Sequence, residues 1–244
     1  MSKRPKINIF LFILLLLLFI IPAIIYSIYI QSEQEKWDIE LLETVTSLNR
    51  GTKSELDLVL GLLKFGIPAQ TIFHDLYINT GNNNFSQVDL VVATKVGIIV
   101  FEIKDYSGWI YGNGNQTNWK QVLAYGKKKY SFYNPIKQNN KHIAQLKKLL
   151  SKENVPFYSV IVFYGSCELK DVSFVPEGTF LVYPHRVFDV INKIMISNPP
   201  ANYNDKRKIV ELLKDAVNNG DNLDNIRQHS ENINNMLGHN RIYK

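Results

Sequence analysis

The order of hydrophobic patterns along this chain predicts an α/β domain with a mixed β-sheet flanked by helices, preceded by one N-terminal transmembrane helix. Three observations carry that prediction. Residues 7–30, INIFLFILLLLLFIIPAIIYSIYI, contain no charge. Two strand-forming runs, QVDLVVAT and GIIVFEIKD, are separated only by Lys95-Val96, and so short a link implies an antiparallel hairpin. Farther on, PFYSVIVFYG is continuously apolar, the pattern of a strand buried on both faces.

Composition supports a real core. The 244 residues are 45% hydrophobic and 12% aromatic, which excludes global disorder. The single cysteine, Cys167, excludes an internal disulfide framework and a Cys-based zinc cluster; it reads as a small apolar residue near the end of a core strand. The net charge of +6 is uneven: Lys3, Arg4 and Lys6 precede the first acid, Glu33, leaving 25 basic against 22 acidic residues. Overall charge therefore makes no case for nucleic acid.

The apolar run is long enough to cross a hydrocarbon core of about 30 Å at about 1.5 Å per residue. Pro22 is tolerated in a membrane helix, and Tyr26 and Tyr29 suit the interface. The run exceeds a signal-peptide core and no small-x-small cleavage site follows it, so it reads as an uncleaved anchor in the lipid bilayer. Three basic residues before it, against Lys36 after it, predict a cell-membrane protein with a cytoplasmic N-terminus and an extracytoplasmic main domain.

The elements follow in order. A basic tail, 1–6, and the span, 7–30, lead to a helical connector, 31–50, with Ile39, Leu42, Val45 and Leu48 near helical spacing. Asn49-Arg50-Gly51 breaks it and opens the main domain, 51–183. TKSELDLVLGLLKFG is a helix whose apolar face is Leu56, Val59, Leu60 and Leu63, stopped by Gly66. QTIFHDLYINT is a strand and GNNNFS a turn into the hairpin. GWIYGNG and NWKQV form a second short hairpin. A helix from Pro135 to Lys152 turns Ile136, Ile143, Leu146 and Leu150 inward, and the buried strand follows. Residues 184–244 are a helical extension containing HRVFDVINKIMIS and DKRKIVELLKDAV.

The hairpin carries the chemistry. With Lys95-Val96 as its loop, Thr94 pairs with Gly97 and Asp89 stands opposite Glu102, their Cβ atoms roughly 4.5–5.5 Å apart. Lys104 lies on the same face as Glu102, one pleat along. Two carboxylates forced together repel, raising one pKa, unless a cation lies between them. Mg²⁺ binds through one or two carboxylates plus substrate phosphates, and an adjacent ammonium can hold a water or offset charge on a phosphorane-like transition state. A solvated ion pair is the plain reading of Glu-x-Lys alone. Asp89 inside VDLVV argues against it, since a buried strand disfavours an unpartnered Asp.

Asp89 with Glu102-x-Lys104, behind a helix bearing Glu55, resembles the catalytic signature of the PD-(D/E)xK, restriction-endonuclease-like superfamily. VDLVV with GIIVFEIK, the Tyr106-Ser107-Gly108 that follows, and Asn134-Pro135-Ile136-Lys137-Gln138 are similar to the nuclease-related domain, NERD. The resemblance covers roughly Gly51 to Leu150. It implies a restriction-endonuclease-like fold and a metal-dependent nuclease. Asp89 and Glu102 would ligate Mg²⁺ or Mn²⁺, Lys104 would assist the water, and Glu55 and Gln138 would be further catalytic residues. Glu55 has a second reading, since Thr52-Lys53-Ser54-Glu55 fits a capping box with Glu55 reaching back to the Thr52 amide. Gln138 also suits a surface or capping position. The chain departs from the family pattern at Val88, Ser54 and Asp105, where Pro, Gly and Asn are commoner. His74 and His142 have no neighbours in sequence that demand a ligand and read as ordinary.

From Tyr106 to Lys152 there is no Asp or Glu, but there are nine lysines interleaved with Trp109, Tyr111, Trp119, Tyr125, Tyr130, Phe132 and Tyr133. Lys120, Lys127, Lys128, Lys129, Lys137 and Lys141 are the candidate nucleic-acid contacts, DNA before RNA, with aromatics that stack on bases where they are exposed. The competing readings are aromatics in the core with solvated lysines, or a face that meets anionic lipid. For the whole chain the runner-up function is a catalytically silent NERD-fold module binding nucleic acid or protein at the membrane.

Overall fold

The computed structural model describes residues 9–81, 84–123, 126–151, 153–222 and 226–227. The tail 1–6, Tyr125, Lys152 and the Asn-rich end beyond residue 227 lie outside the described residues. Helix α1 spans Ile9–Glu43, with Pro22 inside it. Span and connector are thus one rod rather than two helices, and Val45 and Leu48 fall beyond its end. From Leu16 it is long and apolar enough to cross a membrane. Its last turns dock on the domain. Asp38 pairs with Lys64 at 2.7 Å, and Leu42 is buried in the core.

Helix α2, Lys53–Lys64, is capped by Thr52, whose side chain accepts from the Glu55 amide. Its buried face is Ser54, Glu55, Leu58, Val59 and Leu62, about one residue round from the predicted face. Leucines occupy most of its circumference, so apolar spacing alone does not fix which side turns inward. Burying Leu58 and Leu62 is worth about 2 kcal/mol each, and it brings Glu55 inside with them.

Five strands form the main sheet in the order β1-β2-β3-β7-β9: Ile72–Gly81, Asn84–Thr94, Gly97–Asp105, Phe157–Tyr164 and Thr179–Val182. β1, β2 and β3 are antiparallel, whereas β7 and β9 join in parallel. The largely apolar β7 lies at the interior of the sheet, as expected for a strand covered on both faces. The predicted hairpin register is present, running from Thr94↔Gly97 to Leu90↔Phe101. Residues 84–86, read as turn, belong to β2.

A second sheet, not foreseen as separate, has the order β6-β5-β4-β8, with β4 Gly108–Asn113, β5 Asn118–Leu123, β6 Lys128–Tyr133 and β8 Cys167–Ser173. β4 and β5 are the second predicted hairpin. β6 and β8 are edge strands rich in polar residues, which hides them from an apolar-pattern reading. Trp119 is fully buried, and Gly112 leaves room for its indole, which a Cβ there would strike.

Helix α3 spans Pro135–Leu149, α4 Val187–Ser197 and α5 Lys206–Asn218. One core joins α2 and α4 to Leu90, Phe101, Ile103 and Val160. Another joins α3 and α5 to Val91, Ile98 and Val100. Helices therefore cover both faces of the large sheet. A third cluster, with Trp119, Ile136, Phe163 and Cys167, seals the small sheet against α3 and β7.

Candidate active site

Glu102 and Lys104 share their face of β3 with Ile98 and Val100, which pack in the same core as Leu146 of α3. That face therefore looks toward α3. Asn134 sets the height of the helix. Its Oδ1 accepts from the Ile136 and Lys137 amides, while its Nδ2 donates to the carbonyls of Asn113, Gly114 and Gln116. Pro135 occupies the first helical position, where its missing N–H costs nothing. Gln138 and, one turn on, His142 are thereby brought against β3.

Asp89 stands one position beyond the last paired residues of the hairpin, and its Oδ2 accepts from the Ile103 amide at 2.7 Å. Burial, then the charges of Glu102 and Glu55, push its carboxyl well above the usual range. Lys104 and the Ile103 amide offset this only in part.

Glu102 is 1% exposed. Its Oε1 lies 2.6 Å from Lys104 Nζ and its Oε2 3.3 Å from His142 Nε2. Both are ion-pair contacts, yet neither oxygen has an aligned hydrogen bond. Burial works to raise its pKa, but Lys104 and then His142 outweigh this and hold it below the ordinary value. For Lys104 burial is likewise overcome, by Glu102 and Asp89, and its pKa is raised. Lys104 Nζ also donates to Gln138 Oε1 at 3.1 Å. Ser86 Oγ lies 3.3 Å from the other ring nitrogen of His142.

Glu55 comes from the opposite, α2, side. Its Oε1 accepts from the Thr52 hydroxyl at 2.8 Å and its Oε2 lies 3.2 Å from His74 Nε2. The cap is therefore half of the predicted box: Thr52 receives the Glu55 amide, but the Glu55 carboxylate goes to the Thr52 hydroxyl and to His74, not to the Thr52 amide. Its charge reaches Asp89. The five candidate catalytic residues thus fall into a tight group of Asp89, Glu102, Lys104 and Gln138, with Glu55 behind it.

Both histidines read as ordinary are buried partners of these carboxylates. His142 was findable, because it sits four residues after Gln138 and so shares its helix face. His74 gave no such signal, since its partners Thr46 and Glu55 come from distant elements. Two of the departures from the family pattern meet each other: Ser54 Oγ donates to Asp105 Oδ2, tying α2 to the end of β3.

Lys120, Lys127, Lys128, Lys129 and Lys141 are exposed and Lys137 is half-buried. Lys137 and Lys141 each precede a site residue of α3 in sequence. The aromatics divide. Trp119 is core, Phe132 packs on Tyr106, and Lys170 covers Trp109, while Tyr130 and Tyr133 are exposed.

The donor set discriminates between metals. Among the described residues no group of three or more His, Cys, Asp or Glu side chains is placed to hold an ion. That does not suit zinc, which takes three or four protein ligands. Two facing carboxylates, one buried without aligned hydrogen bonds, suit Mg²⁺ or Mn²⁺, which keep waters and accept phosphate oxygens.

Residues 50–164 match the family model of the nuclease-related domain, NERD. An uncharacterized protein of Bacillus anthracis is 29% identical over 155 residues, covering 64% of this chain and 63% of its own length. No solved structure matches. The hairpin constellation thus lies within the segment, residues 50–164, that is similar to the nuclease-related domain, NERD.

Proposed function

We propose that this chain is a membrane-anchored, Mg²⁺- or Mn²⁺-dependent nuclease that hydrolyses phosphodiester bonds, in DNA before RNA. The observation that carries the reading is Glu102, a buried carboxylate without an aligned hydrogen bond, facing Asp89 and touching Lys104. Asp89 and Glu102 would hold the metal, which when bound supplies positive charge to a water and to the scissile phosphate.

The side chains define the remaining work. Lys104, its pKa raised, stays an ammonium at neutral pH; it acts as a charge and a donor, not as the base. Of its three protons, one goes toward Glu102 and one to Gln138 Oε1. The third is free to hold the attacking water or a phosphate oxygen. In this reading the acid-free basic stretch would serve the substrate backbone, and helix α1 would hold the domain at the bilayer on its extracytoplasmic side.

One observation favours the silent-module reading. Lys104 and His142 already contact both oxygens of Glu102, so the site is neutralised by its own side chains. The test uses the full chain in detergent with single- and double-stranded DNA and RNA, under Mg²⁺, Mn²⁺ or EDTA, beside Lys104→Ala. Metal-dependent cleavage that disappears in the variant supports the enzyme. Salt-sensitive binding without cleavage in either protein supports the module.

A further inference from the structure

Behind the hairpin site lies a second buried polar chain that the proposed chemistry does not use. Thr46 Oγ1 is 2.8 Å from His74 Nδ1, and His74 Nε2 is 3.2 Å from Glu55 Oε2. All three residues are buried, at 8%, 1% and 6% exposure. They come from three elements: Thr46 from the turns that follow α1, His74 from β1 and Glu55 from the first turn of α2.

Donor chemistry gives the chain a direction. A carboxylate only accepts, so the proton between His74 and Glu55 sits on Nε2. In the neutral ring Nδ1 then accepts, and a threonine hydroxyl can supply that proton. With Thr52 donating to Oε1, both oxygens of Glu55 are held by side-chain donors and each keeps a lone pair. Gly51 closes over the arrangement. Its φ is +72°, and a Cβ there would lie 2.6 Å from both Glu55 Oε2 and His74 Nε2.

We propose that His74, oriented by Thr46, is a positioning residue that fixes the Glu55 carboxylate on the α2 side of the hairpin, and that the stretch leaving the N-terminal helix is thereby a working part of the site. The proposal rests on the nuclease reading for its catalytic consequence, but not for its geometry. A merely structural His74 would fill space in the core, and its loss would lower stability without passing through Glu55.

The test uses the full chain in detergent, with one arm independent of catalysis. Ring-nitrogen NMR of ¹⁵N-histidine protein should show His74 protonated at Nε2, with its Nδ1 signal shifted in Thr46→Val. A His74 ring with no proton on Nε2 overturns the proposal. In the cleavage arm, His74→Leu should lower kcat by about 10- to 100-fold with KM for the nucleic acid unchanged. His74→Gln, whose amide can still donate to Glu55, should recover part of the loss, and Thr46→Val should lose several-fold. In a Glu55→Gln background, His74→Leu should cost nothing further. Losses that multiply independently overturn the proposal, as does full activity in His74→Leu. If the unaltered protein cleaves no substrate, the nuclease reading fails, and the ring-proton arm still decides the positioning.

Discussion

Two buried glutamates, each touched by a histidine, sit on opposite sides of the same strands and are held in different ways. Glu102 meets an ammonium and an imidazole at ion-pair distance with neither aligned as a hydrogen bond. Glu55 meets a hydroxyl and an imidazole through hydrogen bonds. The first arrangement neutralises a charge and leaves its lone pairs available to a cation. The second fixes a carboxylate in place. The contrast separates a carboxylate whose contacts are unaligned from one fixed by aligned hydrogen bonds, which is the division that the proposed ligand and support roles draw on.

The largest break in that contrast should come from Lys104→Met. It strands the Glu102 charge in the interior, which costs about 3 kcal/mol or more, and it removes the donor that the proposed chemistry relies on. Urea unfolding and a cleavage assay should both register it; an unchanged unfolding midpoint would mean that Glu102 does not depend on Lys104.

Asp89→Asn should act in opposite directions on the two readouts. Asn keeps the acceptor for the Ile103 amide but loses the charge. Asp89 has a folded pKa above its unfolded value of about 3.9. Its folded state therefore binds the extra proton, and stability falls as pH rises from that value through the folded pKa. Above this window the variant should be more stable by on the order of 1 kcal/mol and inactive. Glu102 has the reverse sign. Its pKa is depressed, so its contribution is present above about 4.3 and is lost as pH falls through the folded value. A pH series of melting temperatures that is identical for Asp89→Asn and the unaltered chain would refute the assignment.

On the Glu55 side, Gly51→Ala combines a left-handed backbone with a crowded Cβ. It should destabilise by about 1–2 kcal/mol and lower cleavage more than stability alone explains. Wild-type cleavage in a folded Gly51→Ala protein would show that the Glu55 side tolerates displacement. The smallest effect belongs to Ser54 and Asp105. A double-mutant cycle with alanine should return a coupling of about 0.5–1 kcal/mol, and zero coupling would make their hydrogen bond incidental.

The hairpin was legible because one short loop between two apolar strands sets its register from Thr94↔Gly97 to Leu90↔Phe101, one position short of Asp89 and Glu102. Asn134-Pro135 was legible as a helix start, and with it the approach of Gln138. The inward face of α2 was not, because its leucines leave the helix nearly apolar all round. Nor were β6 and β8, whose edge positions are satisfied by lysine, glutamate and serine. His74 was invisible for a different reason: its meaning lies in Thr46 and Glu55, and only the folded chain brings those three together.

The unbroken α1 has a consequence for how such a protein would search for its substrate. Residues 31–43 extend the helix about 20 Å beyond the apolar run, and Asp38 and Leu42 clamp its end to the domain. A flexible tether would let the domain sweep a hemisphere above the lipid. In a membrane-anchored protein a helical post clamped at Asp38 and Leu42 would hold the domain at one standoff, leaving only lateral diffusion and spin about the post. Encounter would then be a two-dimensional process, in which the concentration that matters is nucleic acid per area of membrane.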